Sequence, residues 1–154
     1  MLLLSRRLVV QAVGFAALLP ASRLSAAPGL QMTVHKNPGC ECCDGWVEHL
    51  RANGFAATVI ETSEINRIKT RLGIPADLAS CHTAEADAYV LEGHVPATAV
   101  KRLLEERPQA QGLAVPGMPS GSPGMDGDPE EYDVILFGTG ARRVYGRFKS
   151  DREV

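Results

Sequence analysis

The sequence predicts an α/β protein built in layers, and three observations carry that expectation. Strand-like and helix-like periodicities alternate twice between residues 30 and 73. A third apolar strand over 88–92 leads into another helical pattern, and two more strand-like runs, 132–138 and 143–148, close the chain.

In order, Leu30 to His35 alternates, with Leu30, Met32 and Val34 on one face, and ends in the turn Asn37-Pro38-Gly39. From Cys43 the pattern is helical, with Trp46, Val47, Leu50 and Arg51 at three- and four-residue intervals before the stop signal Asn53-Gly54. Phe55 to Ile60 is apolar and β-branched, a second strand. Thr62-Ser63-Glu64 then opens a helix through Ile65, Ile68 and Leu72 that stops at Gly73. This order makes the first two strands parallel, joined by a right-handed crossover. Residues 76–86 read as a loop or short turn carrying Ser80-Cys81-His82-Thr83. Gly93-His94-Val95-Pro96 ends the third strand, and Pro96 suits the first position of a helix through Val100, Leu103 and Leu104. Residues 109–131 hold too many glycines and prolines for a helix or an interior strand. A long internal loop in a compact domain tends to carry function. Gly138-Thr139-Gly140 then predicts a hairpin between the last two strands.

With 154 residues and 45% hydrophobic composition, the chain suits a single domain, residues 28–154, behind a targeting segment. In residues 1–27, Ser5-Arg6-Arg7 precedes the apolar Leu8 to Leu19 and the small residues Ser25-Ala26-Ala27, the layout of a secretory signal peptide. The apolar run is short of the roughly 20 residues a bilayer-spanning helix needs, so no membrane span is expected in the mature chain. The twin-arginine route and an ordinary basic leader fit the paired arginines equally well. Either route implies the bacterial periplasm or beyond, and the periplasm is the expected location. Removing Arg6, Arg7 and Arg23 with no acid takes the formal net charge from −2 to −5, and no basic stripe remains to suggest nucleic acid.

Three of the four cysteines, Cys40, Cys42 and Cys43, fall within four consecutive positions. Exported cysteines usually pair as structural disulfides. Here adjacent Cys42 and Cys43 pair only through a strained ring, and Cys40 with Cys42 closes a very tight loop, so a reactive or metal-binding cluster is the better reading. Three thiolates exceed what a redox dithiol requires. Zinc sites commonly draw on separated ligand pairs, an arrangement the sequence lacks. It offers instead Cys81 and two methionines, Met118 and Met125, in the glycine-proline loop, and thiolates with thioethers are the set that selects Cu(I). His94, at a strand end, is a weaker candidate ligand, and His82 weaker still; His35 and His49 read as structural. Acidic residues are spread along the chain with no pairing suited to acid-base hydrolysis.

The segments Val34 to Cys43, Ser80-Cys81-His82-Thr83, Glu92-Gly93-His94-Val95-Pro96 and Gly112 to Met125 together resemble the CopG-like periplasmic proteins of copper-resistance clusters, a family long catalogued as a domain of unknown function. The resemblance spans nearly the whole mature chain. It implies a thioredoxin-like fold with a mixed central sheet and flanking helices. It also implies Cu(I) held by Cys40, Cys42 and Cys43, with Cys81, Met118, Met125 and His94 as companions, and a role in copper handling or in conversion between its valences. Expected partners are copper ions and other periplasmic copper-handling proteins.

The residues leave open whether copper is turned over, as by a copper oxidoreductase, or only carried, and whether it forms a multinuclear cluster. A thiol-disulfide oxidoreductase using Cys40 and Cys43 remains the rival reading.

Overall fold

The computed structural model describes residues 29–154 apart from Thr139 and Ala141. The expected signal segment, residues 1–27, lies outside the described residues. Twelve elements follow in order: β1 (Leu30–Lys36), α1 (Glu41–Ala52), β2 (Phe55–Glu61), α2 (Ile65–Arg71), a 3-10 turn (Ala76–Leu78), β3 (His82–Ala86), β4 (Tyr89–Glu92), α3 (Ala97–Glu106), β5 (Gly112–Ala114), β6 (Glu131–Phe137), β7 (Arg143–Lys149) and β8 (Arg152–Glu153). The strands form one open mixed sheet in the order β2-β1-β3-β4-β5-β6-β7-β8.

β1 and β2 run parallel, from Leu30 beside Phe55 to Lys36 beside Glu61, with α1 as their crossover. β3 turns back antiparallel to β1, with Lys36 opposite His82, and β4 pairs antiparallel with β3. α3 then carries the chain to β5, parallel to β4, and the remaining strands are antiparallel.

Helical periodicity decides which side chains reach the core. On α1 the buried residues are Cys43, Trp46, Val47 and Leu50, one stripe at the spacing of a helix face. On α3 they are Ala97, Ala99, Val100 and Leu103. Both stripes pack with Val34, Leu91, Leu113 and Val134 on one face of the sheet. Successive strand residues point to opposite faces, so Val90 and Ala114 meet Leu78 and Phe137 on the other side, with Leu72 at the end of α2 against them. The Trp46 indole N–H donates to the Val95 carbonyl at 2.9 Å and pins α1 to the entry of α3.

Two segments differ from the sequence expectation. Residues 82–86, read as loop, form the central strand β3. His82-Thr83-Ala84-Glu85-Ala86 shows no apolar alternation to the eye because its inward residues, Ala84 and Ala86, are small; pairing on both sides supplies the strand. Residues 112–114, inside the glycine-proline segment, form β5. Gly112 is needed there: a Cβ on it would fall within 1.7 Å of the Val90 carbonyl oxygen. At smaller scale, α1 starts at Glu41 rather than Cys43, and Pro96 caps α3 from one position outside it.

Candidate metal centre

The cysteine cluster stands where β1 gives way to α1. Gly39 adopts a positive φ of 72°, and the Cys40 amide donates to the Asn37 carbonyl at 3.4 Å, so the chain turns sharply after Lys36. Cys40 occupies the N-cap position of α1, and Cys42 and Cys43 lie in its first turn. Cys40 and Cys43 are joined by a disulfide with Cα atoms 5.3 Å apart. Cys42 is a free thiol whose Sγ is 3.6 Å from that of Cys40.

Cys81 arrives through strand register. Because Lys36 pairs with His82, Cys81 lies one residue past the end of β1, beside the start of α1. Its Sγ is 4.0 Å from that of Cys42. The sulfurs of all four cysteines lie within 4.8 Å of one another, and Cys81, His82 and His94 form a second set within the same limit. Neither set includes a carboxylate.

The imidazoles extend the site inward. His94 follows Gly93, which turns the chain out of β4 with a φ of 73°. His94 is fully buried, and its Nδ1–H donates to the Pro123 carbonyl at 2.8 Å. That bond leaves Nε2 as the lone-pair nitrogen, and Nε2 lies 3.1 Å from the Cys81 sulfur. Burial holds the His94 pKa below the usual histidine range, against the opposing pull of the Pro123 carbonyl. His82 presents Nδ1 to the same sulfur at 3.3 Å, packs its ring against Trp46 at 4.3 Å between centroids, and has no hydrogen-bond partner for its buried Nε2. Burial first, then the neighbouring His94 and Lys69, push its pKa well down. Burial and the adjacent Cys42 push the Cys81 thiol up to about 11, so it is protonated at neutral pH until something replaces the proton.

The glycine-proline loop is built onto α1 by close backbone contact. A Cβ on Gly124, whose φ is +87°, would lie 2.3 Å from the Trp46 nitrogen and 2.5 Å from the Cys42 oxygen; one on Gly45 would lie 2.9 Å from the Gly124 Cα. The contact brings Met125 to an open depression walled by Glu41, Cys42, Gly45, Gly124 and Asp126. Met118 does not line that depression and is 58% exposed. It follows Gly117, whose carbonyl accepts the Ser80 hydroxyl at 2.5 Å and ties the loop to the Cys81 turn.

Two charged networks hold the frame. Lys36, only 2% exposed, pairs with Asp44 and Glu61, both at 3.0 Å, joining the ends of β1 and β2 to the first turn of α1. Its hydrogen bond to Glu61 raises its pKa against the cost of burial. Behind Cys81, the fully buried Glu92 accepts the Ser80 amide at 2.6 Å, the Thr83 hydroxyl at 2.5 Å and the Lys69 ammonium. It thereby clamps both ends of the segment that carries Cys81 and His82.

Two solved structures described as copper resistance protein CopG, form 1 and form 2, match this chain at 41% and 40% identity, with TM-scores of 0.73 and 0.74. Each match covers 78% of this chain and 98% of the other. The chain belongs to the CopG family of copper-resistance proteins. A family model described as "Protein of unknown function, DUF411" matches residues 78–125. In this CopG-family chain that stretch runs through Cys81, His94, Met118 and Met125 and leaves the Cys40–Cys43 segment outside. No curated protein matches the sequence.

Among the residues singled out from sequence, the structure brings Cys40, Cys42, Cys43, Cys81 and His94 into one neighbourhood, sets Met125 at the wall beside Cys42, and leaves Met118 outward. His82 also lies beside Cys81; that adjacency is visible in the sequence, whereas its burial depends on β3, which is not. Glu92 and Lys69 gave one legible signal, a carboxylate inside an apolar strand.

Proposed function

We propose that this CopG-family chain is an exported periplasmic protein that gathers Cu(I) for copper resistance. The ligands in this reading are the thiolates of Cys40, Cys42, Cys43 and Cys81 with His94 Nε2 and Met125, and with Met118 as an outer thioether on the same loop. The observation that carries it is the convergence of four cysteine sulfurs within 4.8 Å, with no carboxylate among them. Hard cations such as Mg²⁺ and Ca²⁺ require oxygen ligands. Zinc accepts four thiolates, but a thioether beside them suits Cu(I) better. The names of the two solved relatives point the same way.

Export rests on the arginine pair and apolar run of residues 1–27, and among the described residues no helix is long and apolar enough to cross a membrane. The strand order β2-β1-β3-β4, with α1 and α2 flanking β2 and α3 after β4, supports a thioredoxin-like unit extended by β5 to β8. On such a frame the site would bind copper and exchange electrons with it, passing it between Cu(I) and Cu(II).

The test is anaerobic competition for Cu(I) between the reduced chain and a chromogenic chelator, repeated with Cys42→Ser and Met125→Leu and with Zn²⁺ as the rival ion. The expected result is Cu(I) retention weaker by at least roughly 10-fold in Cys42→Ser and several-fold in Met125→Leu, with displacement of bound Zn²⁺ by Cu(I). Unchanged retention in both would remove the metal site. A second reading, thiol-disulfide exchange alone, is favoured by the Cys40–Cys43 bond. It predicts insulin reduction by the metal-free protein, indifferent to Cys42.

A further inference from the structure

The four cysteines fall into two pairs in different chemical states. Cys40 and Cys43 are bonded, whereas Cys42 and Cys81 are free thiols with sulfurs 4.0 Å apart. The bonded pair sits within one helical turn, at a Cα separation inside the range disulfides span. The free pair meets only across two elements and keeps its neighbours, the His94 Nε2 at 3.1 Å from the Cys81 sulfur and Met125 on the wall beside Cys42. Closing the first pair therefore withdraws two thiolates and leaves two thiolates, an imidazole and a thioether, one complete coordination sphere of the kind that stabilises Cu(I).

A dithiol that closes gives up two electrons, and Cu(II) accepts one apiece. We propose that Cys40 and Cys43 are the electron store for copper conversion, and that Cys42, Cys81 and His94 keep the product. Two Cu(II) ions and the reduced pair give two Cu(I) ions, the Cys40–Cys43 disulfide and two protons. One Cu(I) stays on Cys42, Cys81 and His94, and the other is released. The inference rests on the copper-binding reading above and joins it to the disulfide chemistry that reading treats as a rival.

Exposure also assigns the direction of recharging. Cys43 is fully buried and Cys40 only half-buried, so an external dithiol reaches the Cys40 sulfur. Its thiolate bonds to Cys40 and expels Cys43 as a thiolate in the first turn of α1, where the helix N-terminus favours negative charge. The donor's second thiolate then attacks the donor sulfur of the mixed disulfide, frees Cys40 and leaves the donor oxidised.

The experiment uses the full chain, fully reduced and freed of reductant under argon. One sample receives Cu(II), a second receives Cu(I) directly, and thiols are counted by alkylation after copper is stripped, with disulfides located by peptide mass. The Cu(II) sample is expected to form two Cu(I) per chain, to fall from four alkylatable thiols to two, and to carry the Cys40–Cys43 link with Cys42 and Cys81 alkylated. The Cu(I) sample is expected to bind copper and keep all four thiols. Unreduced Cu(II), or a main product linked through Cys42 or Cys81, overturns the electron store while the Cu(I) sample still supports copper binding. Failure of the Cu(I) sample to bind overturns the binding reading itself. Cys43→Ser supplies a second check: Cu(I) formation is expected to slow more than tenfold, and an unchanged rate would contradict the assignment.

Discussion

The sulfur of Cys42 lies 4.0 Å from that of Cys81, although 39 positions separate them in the chain. The pairing of β1 with β3 creates this proximity, so the completeness of the site depends on the sheet as much as on the cysteine cluster. Cys81→Ser is expected to weaken Cu(I) binding by at least the roughly 10–100-fold that follows loss of even an outer partner of a metal ligand. Competition with a Cu(I) chelator reads the change, and wild-type affinity in the variant would exclude Cys81 from the site.

The glycine contact between the loop and α1 makes a stability prediction with an internal control. Gly124→Ala combines a left-handed backbone with a Cβ 2.3 Å from the Trp46 backbone nitrogen, and is expected to cost about 3 kcal/mol. Gly117→Ala shares the positive φ but meets nothing within 4 Å, so its cost should stay near 1–2 kcal/mol. Urea denaturation compares them. Equal losses would mean that crowding against α1 is relieved cheaply.

Lys69 and Glu92 form an ion pair with side chains 9% and 0% exposed. Removing one partner of a buried pair strands the other, so Lys69→Met is expected to cost about 3–5 kcal/mol. Adding Glu92→Leu should recover part of that loss and no more, since the Ser80 amide and Thr83 hydroxyl then lose their acceptor. Full recovery in the double variant would contradict the role given to Glu92 as a clamp.

Acid should destabilise the fold through its histidines. His49 accepts the Ala97 amide through Nε2 at 3.1 Å, capping α3, and burial lowers its pKa from 6.5. His82 and His94 are shifted the same way, again chiefly by burial. In each case the folded pKa lies below the unfolded one, so the contribution is complete above about pH 6.5 and is lost as pH falls toward the folded values. Each histidine in that window adds up to about 1.4 kcal/mol of lost stability per pH unit. The urea midpoint of the metal-free protein is expected to fall between pH 7.5 and 5.5. His49→Gln, which keeps an acceptor for Ala97, should flatten part of the slope, and an unchanged slope would exclude His49 as a contributor.

The alternating elements from Leu30 to Leu72 were legible in the sequence because each carries its own periodicity and its own stop signal. The cysteine cluster was legible because its spacing is improbable without chemistry. β3 and β5 were not, since Ala84, Ala86 and Gly112 earn their strand conformation from neighbours rather than from side-chain volume. The same gap hid the burial of His82, which follows from β3, and the Glu92 clamp, which needs Lys69 of α2 and Thr83 of β3 beside β4. Met118 and Met125 were indistinguishable as loop methionines; the approach of Gly124 to Cys42 and Trp46 sets them apart, and backbone contact of that kind leaves only glycines as its trace in the sequence.

X-ray absorption at the copper edge of the reduced chain loaded with Cu(I) under argon tests the central claim most directly. The account predicts a Cu(I) edge and a first shell dominated by sulfur, with a sulfur contribution that falls in Cys42→Ser and Cys81→Ser. A first shell dominated by nitrogen and oxygen, unchanged in both variants, would contradict it.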